Sequence, residues 1–315
     1  MKFYIYFHNA DADGTLSGFM LKYAIENNIL HSDIENKEVR MMPINYGYDV
    51  NLDYLHSDPY VYMVDFSLDE EYMLKIHKKI GDKFIWIDHH DSIEEYNSTA
   101  NTLVNGVRQY DLAACMLTFL YIKDNGEDFT KEFNRLKSFV YYVGEYDIYN
   151  NKAHTEDEWT DIVSFNLYVK SLPQELSSNN IWSELIENLQ SEKASEVLEY
   201  MVGEGYPILG YINKDNYQLC KSYGSEINIG EHKAFIVNKG IGGTYVFSHF
   251  NNKYPIQICA VYSMKSNFWS LSCYADEGIN LLDLLSEYNP KGHKGACNIK
   301  AKSLEIVNKQ LHLCL

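Results

Sequence analysis

The stretch "YFHNADADGTLSG", residues 6–18, places His8, Asp11 and Asp13 within six positions, directly after the apolar run "FYIYF" and directly before Gly14. A continuous apolar run reads as a strand covered on both faces, and the "TLSGFMLKYAIENN" that follows has helical spacing. The stretch is therefore a strand-to-helix junction, and side chains anchored at such a junction are preorganised by fixed backbone. Gly14 permits the tight turn there, and Ser17 and Gly18 are small enough to keep the helix close to the sheet.

The same pattern repeats outward from this junction. "EVRMMPINY" (38–46), "YVYMVDFS" (60–67) and "KFIWIDHH" (83–90) read as further strands, with "LDEEYMLKIHKKIG" (68–81) as a helix between the last two. In parallel sheets the ligand site lies outside the carboxyl ends of the strands. Each polar cluster falls at such an end: His8, Asp11 and Asp13 after the first strand, Asp65 after the third, and Asp88, His89 and His90 after the fourth.

Next come two helical segments, "QYDLAACMLTFLYIKD" (109–124) and "TKEFNRLKSFVYYVGEYDIYNN" (130–151), and then a polar break, "NKAHTEDEWT" (151–160). Residues 180–221 read as largely helical. Beyond 224 shorter runs take over, "HKAFIVN", "IQICAVYS" and "FWSLSCYA", interrupted by a helix in "GINLLDLLSEY". At 315 residues two domains are the expectation. They are placed at 1–190 and 223–315 with a helical linker at 191–222. The fold class is α/β: a parallel-sheet, Rossmann-like first domain, a smaller α/β second domain, and an active site in the cleft between them.

Composition narrows the function. The net charge is -17 and Arg40, Arg108 and Arg135 are the only arginines, which excludes tracking along long duplex nucleic acid. A small anionic ligand remains compatible, because metal ions and helix N-termini supply local positive potential. The six cysteines are scattered without a C-x-x-C pair, as expected of reduced, buried thiols. No apolar run reaches bilayer length and the N-terminus carries no export signal, so a cytoplasmic location is expected.

Two divalent cations need carboxylates and imidazoles converging from several strand ends, with one carboxylate able to bridge. His8, Asp11, Asp13, Asp65, the Asp88-His89-His90 run and Asp147 in "GEYD" supply those types, and residue types alone do not choose among manganese, magnesium and zinc. His56, His77 and His154 lack a partner pattern and read as surface residues. Arg108, just ahead of the helix start at Asp111, is a candidate phosphate contact, with a plain salt bridge as the alternative.

"HNADADG", "VDFS", "IDHH" and "GEYD", in this order, resemble the four motifs of the DHH phosphoesterase family. "PKGHKGACNIKA" (290–301) resembles the glycine-rich His segment of its associated C-terminal domain. Within the family, "GEYDIYNN", "FNLY" and "GGTYVFSHFNNKY" look most like the small oligoribonuclease (nanoRNase) group. The resemblance implies one metal on His8, Asp11 and Asp65 and a second on Asp13, Asp65, His89 and Asp147, the metals being two divalent ions, Mn2+ first and Mg2+ as the alternative. His90 would face the phosphate, Asp88 would orient a neighbouring histidine, and His293 with the Gly292 and Gly295 backbone would close over the phosphate. Pro290, Lys291 and Asn298 depart from the family's glycines and imply a different pocket shape.

The implied activity is hydrolysis of short oligoribonucleotides to mononucleotides by a monomer or homodimer. The alternatives are a cyclic (di)nucleotide phosphodiesterase, a 3'-phosphoadenosine 5'-phosphate phosphatase, an exopolyphosphatase or pyrophosphatase, and a nucleotide-sensing module without turnover.

Overall fold

The computed structural model describes residues 1–45, 52–90, 99–127, 131–172, 183, 185–188, 193–240, 244–247, 257–265, 268–275 and 278–314. The chain divides into two compact units, Met1–Ile208 and Leu209–Leu315.

The first unit is built on β1 (Lys2–His8), β2 (Glu38–Ile44), β3 (Tyr60–Val64) and β4 (Phe84–Ile87). They form a four-stranded sheet in the order β2-β1-β3-β4, parallel throughout. Alternation along β1 explains the run "FYIYF". Phe3, Ile5 and Phe7 enter one core with α1 (Ala12–Glu26), whereas Tyr4 and Tyr6 enter the core on the opposite face with α2 (Glu70–Ile80). Every residue from Phe3 to Phe7 is thus buried, at about 1.5–3 kcal/mol for a fully buried large apolar side chain. Gly18 faces the Phe7 ring, whose Cγ lies 2.8 Å from where a Cβ would stand, so a larger residue would push α1 off the strand.

After β1 the chain steps to β2 on one side, then crosses to β3 and β4 on the other. The switch point lies between β1 and β3, where parallel sheets open a crevice at their carboxyl ends. Four further helices follow the short α3 (Thr99–Leu103): α4 (Ala114–Asn125), α5 (Lys131–Asn134), α6 (Lys137–Asp147) and α7 (Glu156–Ser171). Residues 151–160 were expected as a polar break, yet α7 starts within them. Thr155 accepts from the Glu158 backbone N–H while the Glu158 carboxylate accepts from the Thr155 backbone N–H, a capping box. Polar first-turn residues belong at a helix start, which is why composition alone concealed it.

The long helix α8 (Ala194–Tyr223) runs across the boundary between the units and contains Pro207. The second unit holds an eight-stranded mixed sheet in the order β11-β12-β5-β6-β7-β8-β10-β9. Its strands are β5 (Ser225–Ile229), β6 (His232–Asn238), β7 (Ile258–Lys265), β8 (Phe268–Ala275), β9 (Lys291–His293), β10 (Ala296–Ala301), β11 (Ser303–Val307) and β12 (Gln310–Cys314). The helix read in "GINLLDLLSEY" is a single turn, α9 (Leu281–Leu284), capped by Asn280. Most of "GGTYVFSHFNNKY" lies outside the described residues. Cys115, Cys220, Cys259, Cys273 and Cys297 are buried free thiols. No helix among the described residues is long and apolar enough to cross a membrane.

Candidate metal centre

The site gathers at the carboxyl edge of the parallel sheet. His8 is the last residue of β1, Asp11 caps α1 by accepting from the Gly14 N–H at 3.1 Å, and Asp13 is in the first turn of that helix. Gly14 is obligatory: a Cβ there would lie 2.2 Å from the His8 carbonyl oxygen and 2.8 Å from Asp65 Oδ2. Asp65 immediately follows β3 in the left-handed region, with φ of 54°, a conformation aspartate tolerates better than most residues.

Asp65 is 2% exposed and lies between two groups of ligand-type side chains. Its Oδ2 is 3.4 Å from His8 Nδ1, which is also 3.2 Å from Asp11 Oδ2. On the other side, Asp65 Oδ1 is 3.2 Å from His89 Nε2, and this nitrogen is 3.6 Å from Asp13 Oδ2 and 3.5 Å from Asp147 Oδ2. In each of the triads His8-Asp11-Asp65 and Asp13-His89-Asp147, one ligand atom per residue lies within 4.8 Å of the others. Asp65 Oδ1 is buried, and its near neighbour His89 Nε2, at 3.2 Å, is not aligned to hydrogen-bond it. A buried carboxylate oxygen left that way is costly, and a cation would satisfy it. The donor set fits two hard or borderline divalent ions.

The other carboxylates are held by backbone. Both Asp13 oxygens accept N–H groups at the start of α4, Ala114 at 2.9 Å and Cys115 at 2.7 Å. A helix N-terminus is a natural seat for negative charge. Asp88 is fully buried: its Oδ1 accepts from the His89 N–H at 2.8 Å and meets His90 Nδ1 at 2.7 Å, and its Oδ2 accepts from Trp86 Nε1 at 3.2 Å. Its histidine partner is therefore His90. With Nδ1–H committed to a carboxylate, His90 meets a ligand through Nε2.

The electrostatics are those of a site short of positive charge. Burial works against charge on His8, but Asp11 and Asp65 outweigh it and push the His8 pKa up to about 10. His89 follows the same pattern: burial is outweighed by Asp65, Asp13 and Asp147, again giving about 10. Burial, with Asp65 and Asp11 behind it, raises Asp13 to about 7. Burial, with Asp13 and Asp11 behind it, raises Asp147 to about 8. Only Asp11 is held low: burial opposes this, but His8 and the Gly14 N–H prevail. Divalent cations would take the place of these retained protons.

Two expectations need correction. Arg108 does not point at a ligand. Its five N–H donors go to Asn101 Oδ1 and to the carbonyls of Trp86, Asn105, Asn101 and Val104, and its guanidinium lies 5.1 Å from the Trp86 ring centroid. A guanidinium with every donor spent pins the loop and has none left for phosphate. His154 is not a surface residue: its side chain is 6% exposed and sits 2.7 Å from the buried Glu145 carboxylate. Trp86 was missed, although its position two residues before Asp88 on a strand puts both on one face.

In the second unit, β9 and β10 form the hairpin that carries the glycine-rich segment. His293 pairs with Ala296 and Gly292 with Cys297, and Gly295 lies exposed in the turn.

No curated protein matches the chain by sequence. Among solved structures, one similar fold is the DHH domain of a member of a family of ribosomal proteins. It has 16% identity and a TM-score of 0.62, over 95% of this chain and 82% of that one. Another is a pGpG-specific phosphodiesterase from Vibrio cholerae, with 12% identity and a TM-score of 0.50, over 95% and 92% of the two chains. Residues 2–141, which carry β1 to β4 and every expected metal ligand except Asp147, match the DHH family, N-terminal domain.

Proposed function

We propose that the chain is a metal-dependent phosphoesterase that hydrolyses short oligoribonucleotides to mononucleotides, using two divalent ions that share Asp65. The observation that carries this reading is Asp65 itself, with Oδ2 turned toward His8 and Oδ1 toward His89. His8 and Asp11 would complete one site, and Asp13, His89 and Asp147 the other. Mn2+ is the first choice and Mg2+ the second. When bound, such a pair acidifies a water and neutralises charge on a phosphoryl group.

The protein's own part is positioning. Asp13 stays fixed because the α4 N-terminus holds both its oxygens. Asp88 fixes the ring of His90, so Nε2 is the nitrogen that donates to a phosphoryl oxygen as charge builds there. By resemblance alone, the segment with His293, Gly292 and Gly295 is proposed for the substrate phosphate; Arg108, whose donors are spent, is not. The net charge of -17 suits a small substrate better than a long polymer.

The matching experiment is incubation with Mn2+ or Mg2+ against two- to five-nucleotide RNAs, pGpG, a cyclic dinucleotide, cyclic AMP, 3'-phosphoadenosine 5'-phosphate and pyrophosphate, with products separated by chromatography. Mononucleotides from the short RNAs are expected. Cleavage of a cyclic nucleotide or pyrophosphate alone would keep the metal centre and replace the substrate. Nucleotide binding without cleavage of any compound would make the protein a sensor. The fold shared with a pGpG-specific phosphodiesterase is the reason a linear dinucleotide belongs in the panel.

A further inference from the structure

Asp147 enters the centre differently from the other ligands. It is the last residue of α6, its side chain is 26% exposed, and helix ends fray. The segment just beyond it is held unusually firmly. The Glu145 carboxylate, 9% exposed, accepts from Asn150 Nδ2 at 2.8 Å and from His154 Nε2 at 2.7 Å through the same oxygen, Oε2. The Asn150 backbone N–H donates to the Glu145 carbonyl at 3.0 Å, and Tyr149 between them takes a φ of 52°. The His154 ring packs against Trp159, nearly parallel at 6.1 Å, and edge-on to Tyr141 at 5.8 Å. One buried carboxylate thus ties the final turn of α6 to the chain that leads into α7.

We infer that Glu145, with Asn150 and His154, is a positioning clamp that holds Asp147 at the metal centre. The residue acts through Asp147 and touches no ligand of its own. The reasoning is geometric. Glu145 and Asp147 flank Tyr146 on the same final turn, and a helix end free to unwind would let the Asp147 carboxylate swing out toward water. Three hydrogen bonds onto Glu145 close the segment into a loop that cannot unwind without exposing a buried carboxylate. Outer-shell partners of metal ligands are commonly worth about 10- to 100-fold in metal affinity. The inference rests on the two-ion reading above, and the test keeps the two apart.

The test is Mn2+ titration by calorimetry on wild type, Glu145→Ala, Glu145→Gln and Thr155→Ala, with melting temperatures measured alongside. Wild type is expected to bind two ions per chain. Glu145→Ala should keep the first and bind the second about 10- to 100-fold more weakly, with kcat falling by a similar factor. Glu145→Gln, whose amide oxygen can still accept from Asn150 and His154, should recover most of both. Thr155→Ala loses the cap of α7 and lowers the melting temperature while leaving both ions in place. Two ions bound by Glu145→Ala with wild-type affinities would overturn the clamp. So would a Thr155→Ala protein that loses the second ion as Glu145→Ala does, because the effect would then be general destabilisation. Wild type that binds no ion would overturn the two-ion reading instead. If Glu145→Ala fails to fold, Asn150→Ala and His154→Phe each remove one donor, and the same selective loss, smaller in size, is required of both.

Discussion

Replacing Asp147 by asparagine should stabilise the metal-free protein at high pH and weaken it once Mn2+ is present. Burial and the neighbouring Asp13 and Asp11 raise the Asp147 pKa from an ordinary 3.8 to about 8. For a carboxyl raised in the folded state, the sign is fixed. Its contribution is at its most favourable below pH 3.8, declines as pH rises, and is fully lost above pH 8. Between those values the unfolded chain is ionised while the folded one retains its proton. At ~1.36 kcal/mol per tenfold the whole shift corresponds to about 6 kcal/mol, and solvent screening of a side chain that is 26% exposed reduces the cost of ionisation to about 4 kcal/mol. An asparagine avoids that charge but leaves a poorly satisfied amide, worth about 1–3 kcal/mol. The net gain is about 2 kcal/mol at pH 9, or about 4–8 °C in melting temperature for a unit of this size. The assay is thermal unfolding in chelator at pH 5, 7 and 9, repeated with excess Mn2+. In chelator the variant's advantage should be near zero at pH 5, intermediate at pH 7 and full at pH 9. With Mn2+, wild type should overtake it. A variant no more stable than wild type in chelator at pH 9 would refute the reasoning, as would an advantage independent of pH.

Three further outcomes follow from the same geometry. Gly14→Ala places a methyl 2.2 Å from the His8 carbonyl oxygen and 2.8 Å from Asp65 Oδ2, so it should abolish Mn2+ binding and cost several kcal/mol in chemical denaturation. Trp86→Phe removes a donor from buried Asp88, so it should cost about 2 kcal/mol and lower kcat; in a His90→Ala background the kcat effect should disappear, which a double-mutant cycle reads directly. Mn2+ binding near pH 7 should release protons from His8, His89, Asp13 and Asp147, with affinity rising as pH increases, measured by calorimetry in buffers of different ionisation enthalpy.

Much of the centre was legible in the sequence because it obeys strand periodicity. Five ligand-type residues sit at the ends of strands whose apolar runs reveal them, and parallel pairing brings those ends together. The bridging role of Asp65 was suggested by resemblance and stays part of the proposal; its two oxygens face His8 and His89. The features that stayed hidden depend on side chains meeting across long separations or on polar residues with two meanings. Arg108 looked like a phosphate contact because composition does not show that the loop's own carbonyls use all its donors. His154 looked solvated because its partner Glu145 lies nine residues earlier in a helix whose burial the polar neighbours disguised. The N–H groups of Ala114 and Cys115 that seat Asp13 are backbone, a hundred residues away, and carry no signal in residue type.

The most direct test of the shared-carboxylate claim is anomalous diffraction at the manganese edge from crystals grown with Mn2+. Two peaks about 3.5 to 4 Å apart, one on each side of Asp65, are the expected result. A single peak, or two that do not share Asp65, would contradict the account.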